Sequence, residues 1–224
     1  MIRRLGFDMF EACAFKNVIL GEQEMLSTTT PALRRVLNAA VAQFARHGYE
    51  GASLAGIAAY AGIRKASLYS HIKNKDALFL AVFEDALKIE SQFAHECFEH
   101  SNTGLPGQYY CESLLARYAD SEHFRFLLRT SYIPPESLFH ELQEGYETYM
   151  QQLLADFTAA LRRHVGEAFS DQDALTLGHA YMGMVDSLHV ALIYIGPSRF
   201  EARLNALERL MGDSIARLVG ERHD

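Results

Sequence analysis

The 224-residue chain is poor in cysteine: it has three (Cys13, Cys97 and Cys111), an odd number at wide spacing. That pattern supports neither a disulfide framework nor a Cys-x-x-Cys metal site, and it fits a reducing cytoplasm. Low-complexity segments and internal repeats are lacking, which excludes repeat architectures. Common enzyme signatures are lacking too, with no Gly-x-Ser-x-Gly nucleophile elbow and no Gly-rich phosphate loop. The run His95-Glu96-Cys97-Phe98-Glu99-His100 is only superficially like a zinc-protease helix. Its histidines are five apart, so they do not share the helix face that His-Glu-x-x-His requires. No enzymatic activity, metal or cofactor is expected. Asp8, Glu11 and Lys16 interrupt the mildly apolar run after Arg3 and Arg4, so no secretory core forms. Alternating strand patterns are also missing, and the chain reads as helical throughout.

What is present is a sizeable apolar fraction, 49%, enough to bury a core in one domain or in two unequal ones. The net charge of −7 argues against nucleic acid if spread evenly, but it is not. Residues 25–80 hold seven Lys or Arg against Glu50 and Asp76, a balance of +5, whereas residues 81–224 hold 11 basic against 22 acidic side chains. A basic head on an acidic body points to one end meeting double-stranded DNA and the other meeting something else.

The head is legible residue by residue. Thr30-Pro31 is a favoured helix start, and Leu33, Val36, Leu37, Ala40, Val41 and Phe44 follow at helical spacing until Gly48 stops the run. Ser53 caps a second helix carrying Leu54, Ile57 and Ala58, and Ala61-Gly62-Ile63 makes a tight turn into a third. That third helix turns Leu68 and Ile72 inward and leaves Arg64, Lys65, Ser67, Tyr69, Ser70 and His71 outward. The outward set is basic, aromatic and rich in donors, which suits phosphates and the major groove. Arg64 or Lys65 has the donors to read guanine. Lys73 is as well explained by solvation as by contact.

The series HGYEGASLAGIAAYAGIRKASLYSHIKNKDALF within residues 30–80 resembles the N-terminal domain of the TetR (tetracycline repressor) family. It shares the Gly-Tyr turn, the Ser cap, Ile-Ala, an Ala-Gly-apolar turn and Leu-Tyr-x-His followed by Lys. Arg64, Ala66 and Ile72 depart from the residues common there. The resemblance implies that Tyr69, His71 and Lys75 meet phosphates, that Lys65, Ala66 and Ser70 lie nearer base edges, and that Ser53 both caps and touches the backbone. Arg64 and Ala66 stand where bases are read in that family, so the resemblance does not carry over an operator sequence.

The expected organisation is an extension over 1–26, with Met25 a candidate start of translation, a helix-turn-helix head over 27–74, and a helical effector-binding and dimerisation body over 75–224. Asn74 caps a long helix through Leu78, Val82, Ala86, Ile89, Phe93 and Cys97 that links head to body. Further helices are expected at about 107–120, 121–132, 135–164, 171–196 and 199–220. Residues 174–195 are apolar on nearly every side, which calls for burial, while His179, Asp186 and His189 argue against lipid and no membrane partner is expected. With the stripe Phe200, Leu204, Leu207, Met211, Ile215 and Leu218, this helix is expected to build a homodimer, as the family does.

A cavity for a small-molecule effector is expected between the linker helix and the 135–164 helix. Candidate lining residues are Phe93, Cys97, Tyr110, Phe124, Phe126, Tyr132, Tyr146, Tyr149, Met150, Met182 and Met184, with His179 and Asp186 as polar anchors. Such a lining suits a medium-sized, largely apolar or aromatic molecule. The leading expectation is a dimeric repressor released from its operator by that effector; the alternative is a DNA-organising or division-control protein with the same head and no effector.

Overall fold

The computed structural model describes residues 30–100, 104–166 and 170–220. The expected extension over 1–26 lies outside these. Local capping sets the head. The Thr30 hydroxyl oxygen accepts from the Leu33 N–H at 3.3 Å and Pro31 follows, opening α1 (Pro31–Gly51). Gly48 kinks this helix near its end with φ 69° and ψ −178°, a backbone that a side chain would strain. A Cβ there would also lie 2.9 Å from Arg129 Nε. Gly48→Ala is therefore expected to destabilise the fold by about 1–2 kcal/mol in urea unfolding; an unchanged midpoint would contradict the strain.

Ser53 Oγ accepts from the Gly56 N–H at 3.0 Å and starts α2 (Leu54–Tyr60). Gly62, at φ 67°, turns the chain into α3 (Lys65–Tyr69). Asn74 Oδ1 then accepts from the Ala77 N–H at 2.8 Å at the head of α4 (Lys75–His100). The expected three-helix head and long connector are thus formed by the expected caps.

The body holds α5 (Gln108–Asp120), α6 (Glu122–Tyr132, capped by Ser121), a 3-10 turn (Glu136–Leu138), α7 (Phe139–Val165), α8 (Asp171–Tyr194) and α9 (Pro197–Gly220). No strand occurs among the described residues. Pro134-Pro135 breaks the chain where expected, and α7 starts only at Phe139 because the 3-10 turn intervenes. A Ser170–Asp173 capping box opens α8.

Two apolar clusters hold these helices. One joins head to body: Phe44 of α1, Phe79 of α4 and Phe126 of α6 pack edge to face or tilted, with Phe44–Phe79 centroids 4.8 Å apart and Phe79–Phe126 5.1 Å, and Leu138 and Leu142 complete it. The other fills the body, where Phe157 and Tyr181 stack at 4.1 Å. Gly107 permits that stack, because a Cβ on it would stand 2.6 Å from the Tyr181 ring.

The apolar stripe of α9 turns mostly inward. Phe200, Leu204, Met211 and Ile215 are buried in the chain's own core. Helix α8, apolar on nearly every side, is not wholly covered: Leu175, His179, Gly183, Asp186 and Tyr194 face outward, as does Leu210 of α9. A single chain offers α8 only three packed sides, so its fourth stays open. Gly178 brings α8 onto α7, with Leu154 Cδ1 2.6 Å from where its Cβ would be, whereas Gly183 meets nothing within 4 Å.

Candidate nucleic-acid interface and its link to the body

Burial of Leu68 and Ile72 fixes which way α3 and the turn after it face. With these two anchored against Ile57 and Ala58, the side chains of Arg64, Lys65, Ala66, Ser67, Tyr69, Ser70, His71 and Lys73 are left exposed together. Tyr69 is half exposed, with Lys65 Nζ 5.9 Å from its ring centroid, so a cation and a phenol present themselves as a pair. The Ser70 hydroxyl donates to the Ser67 carbonyl at 2.7 Å, and Ser53 Oγ is already engaged as a cap. Arg64, just before α3, makes no cap bond and extends freely. This face offers donors and positive charge with no carboxylate among its residues, the arrangement that phosphates and base edges accept.

Lys75 differs from the others. It is half-buried, its ammonium 4.2 Å from the Tyr49 ring centroid, and the Tyr49 hydroxyl donates to Asp76. Burial and then the Asp76 carboxylate push the Tyr49 phenol up to about 12. The Gly-Tyr kink near the end of α1 is thereby fastened to the start of α4.

The linker is tied to the body by a buried charge cluster that sequence inspection misses. Glu90 of α4, 1% exposed, accepts from Arg117 Nε at 2.9 Å, Arg117 Nη2 at 2.8 Å and the Ser121 hydroxyl at 2.9 Å. Arg117 also lies 4.4 Å from the Phe93 ring centroid. Nothing in the local pattern around Glu90 marks it, because its partners lie 27 and 31 residues away.

Most effector candidates from the sequence are interior packing here. Cys97, Tyr110, Phe124, Phe126, Tyr149 and Met184 are buried in the two cores, and Phe93, Met150 and Met182 are partly buried. Their polar atoms find each other: the Tyr110 and Tyr149 hydroxyls are 3.3 Å apart, and Tyr181 donates to the Gly107 carbonyl at 3.0 Å. Burial pushes the Cys97 thiol up to about 11 and the Cys111 thiol up to about 12, which leaves both protonated and unreactive at neutral pH. His179 and Asp186 stand on the open side of α8, and the Tyr132 hydroxyl donates to the Asp186 carbonyl at 3.4 Å. In the run from His95 to His100, His95 Nδ1 pairs with Asp156 Oδ1 at 3.1 Å.

A cavity of about 210 Å³ opens instead beneath the head. Phe83 of α4 forms one wall, Thr130 and Ser131 of α6 another, and Pro134 with Phe139, Leu142, Gln143 and Tyr146 of α7 the rest. Of the effector candidates, Tyr146 alone lines it. Its other lining residues come from three separated stretches, a juxtaposition that only the packing of α4, α6 and α7 creates.

Residues 36–82, the helix-turn-helix and the start of the linker, match the family model described as bacterial regulatory proteins, tetR family. An uncharacterized HTH-type transcriptional regulator, YerO of Bacillus subtilis (strain 168), is 24% identical over 163 residues, 67% of this chain and 55% of its own. The HTH-type transcriptional repressor SCO4008 of Streptomyces coelicolor is 48% identical over 50 residues, 22% of this chain and 26% of its own. The matched stretches thus span about half and about a quarter of these two curated relatives. Among solved structures, the fatty acid degradation regulator FadR of Bacillus halodurans superposes with a TM-score of 0.62 at 15% identity, covering 81% of this chain and 95% of that one; the likeness is one of fold.

Proposed function

We propose that the chain, whose head matches the tetR family of bacterial regulatory proteins, acts as a dimeric repressor, released from a palindromic operator when a small, largely apolar or aromatic molecule binds the body. The observation that carries this reading is the exposed set from Arg64 to Lys73, which gathers cations, hydroxyls and a phenol on one face while the rest of the chain is acidic. Lys and Arg displace counterions from phosphates, and the stiff Tyr69 ring holds its hydroxyl at fixed reach. Dimerisation is supported by the open side of α8 and α9, where Leu175, Tyr194 and Leu210 are exposed around Gly183. Two copies related by a twofold axis would set two heads on an inverted repeat.

Tyr69→Ala combined with Lys75→Ala tests the reading. Duplex affinity is expected to fall roughly tenfold or more with the sedimentation coefficient unchanged, since neither residue lies near α8 or α9. Unaltered affinity would remove the head from the account.

A further inference from the structure

The cavity beneath the head lies one helical turn from the head's own core. Phe79 packs on Phe44, and Phe83, four residues further along the same helix, lines the cavity. The ring of Phe83 lies close against the α7 backbone: a Cβ at Gly145 would stand 2.7 Å from Phe83 Cε1. Whatever occupies the cavity therefore acts on the spacing of α4 against α6 and α7 rather than on one side chain. Phe79, Phe44 and Phe126 are packed as one cluster, so that spacing bears on how the head sits against the body.

The lining defines the ligand. Phe83, Phe139, Leu142 and Pro134 give apolar walls, Thr130, Ser131, Gln143 and Tyr146 give neutral polar groups, and no charged side chain among the described residues lines the space. The Tyr146 phenol is raised by burial and then by the Asp186 carboxylate, so it remains a protonated donor and the neighbourhood disfavours an anion. An engineered apolar cavity of about 150 Å³ accepts benzene. A cavity of about 210 Å³ accepts such a ring with a substituent, but not a ligand that needs the ~300–1,000 Å³ of a drug-sized site.

We infer that this cavity is an effector site for a neutral, single-ring aromatic molecule bearing a hydroxyl or carbonyl group. The inference rests on the regulator reading above for its consequence and on the cavity alone for the binding. An occupant fixes the spacing of α4 from α6 and α7, so the head loses the freedom to adjust its pitch to the groove. Binding of the ring and of DNA are then reciprocally coupled.

Phenol and benzoate serve as probes with the full chain. Phenol is expected to bind saturably by NMR shift perturbation, and benzoate roughly tenfold or more weakly. Leu142→Phe, which fills the cavity, and Gln143→Trp, which blocks it from an exposed position that folding tolerates, are each expected to weaken phenol binding at least about tenfold. Saturating phenol is expected to lower affinity for a duplex enriched from random sequences by the wild-type chain about fivefold or more. Phenol binding that survives both substitutions, equal binding of benzoate, or bound phenol without effect on the duplex would overturn the inference. A chain that binds phenol here but no duplex at all would uphold the site and overturn the regulator reading instead.

Discussion

Arg117→Ala is expected to destabilise the fold by about 3–5 kcal/mol, because it strands a carboxylate in the interior. Glu90 is 1% exposed and accepts a bidentate pair from Arg117 plus one bond from Ser121. With the guanidinium gone, Ser121 alone remains to satisfy the charge. The loss extends to packing, since the same guanidinium covers the Phe93 ring at 4.4 Å. Replacing both partners, Glu90→Leu with Arg117→Leu, is expected to recover most of the stability, because the apolar pair carries no desolvation penalty. Urea unfolding of the three proteins makes the comparison. A single variant within about 1 kcal/mol of wild type would show that the cluster is solvated and does not clamp α4 to α5 and α6.

The second large effect depends on pH. His189 of α8 is 1% exposed, its ring packed against Phe124 at 5.6 Å, with no partner among the described residues for either ring nitrogen. Burial pushes its imidazole down to about 4 from an ordinary 6.5. Above pH 6.5 the ring is neutral in folded and unfolded chains alike, and stability does not depend on it. As pH falls from 6.5 towards 4, the unfolded chain takes up a proton that the folded chain refuses, so roughly 3 kcal/mol of stability is lost across that window. Asp186 and Glu208, both raised by burial, act in the opposite sense. The difference between wild type and His189→Phe isolates the histidine: the variant is expected to lose less stability between pH 7 and pH 4.5. Parallel stability curves for the two proteins would contradict the burial of a neutral ring.

The head was legible in the sequence because its determinants are local. Thr30, Ser53 and Asn74 each cap a helix through a bond to a residue three positions on, and the turns at Gly48 and Gly62 need the positive φ that glycine supplies. Body helices were legible for the same reason, down to the break at Pro134-Pro135. The interior of the body was not. Tyr110 and Tyr149 look like a ligand lining by residue type, yet Tyr110 stacks on Phe98 and the two hydroxyls meet within the core. Periodicity marked the stripe on α9 as apolar but carried no information on whether it faces its own chain or another. Likewise Glu90 with Arg117, and Phe83 with Thr130 and Tyr146, meet only through helix packing.

A basic head on an acidic chain makes duplex binding by the full chain depend on salt. With Arg64, Lys65, Lys73 and Lys75 on each head of the proposed dimer, the logarithm of the association constant is expected to fall linearly with the logarithm of salt. The loss should reach roughly 10⁴-fold between about 50 and 200 mM, and Lys75→Ala should flatten the slope by about one per head. Absent binding at low salt, or binding indifferent to salt, would contradict the account.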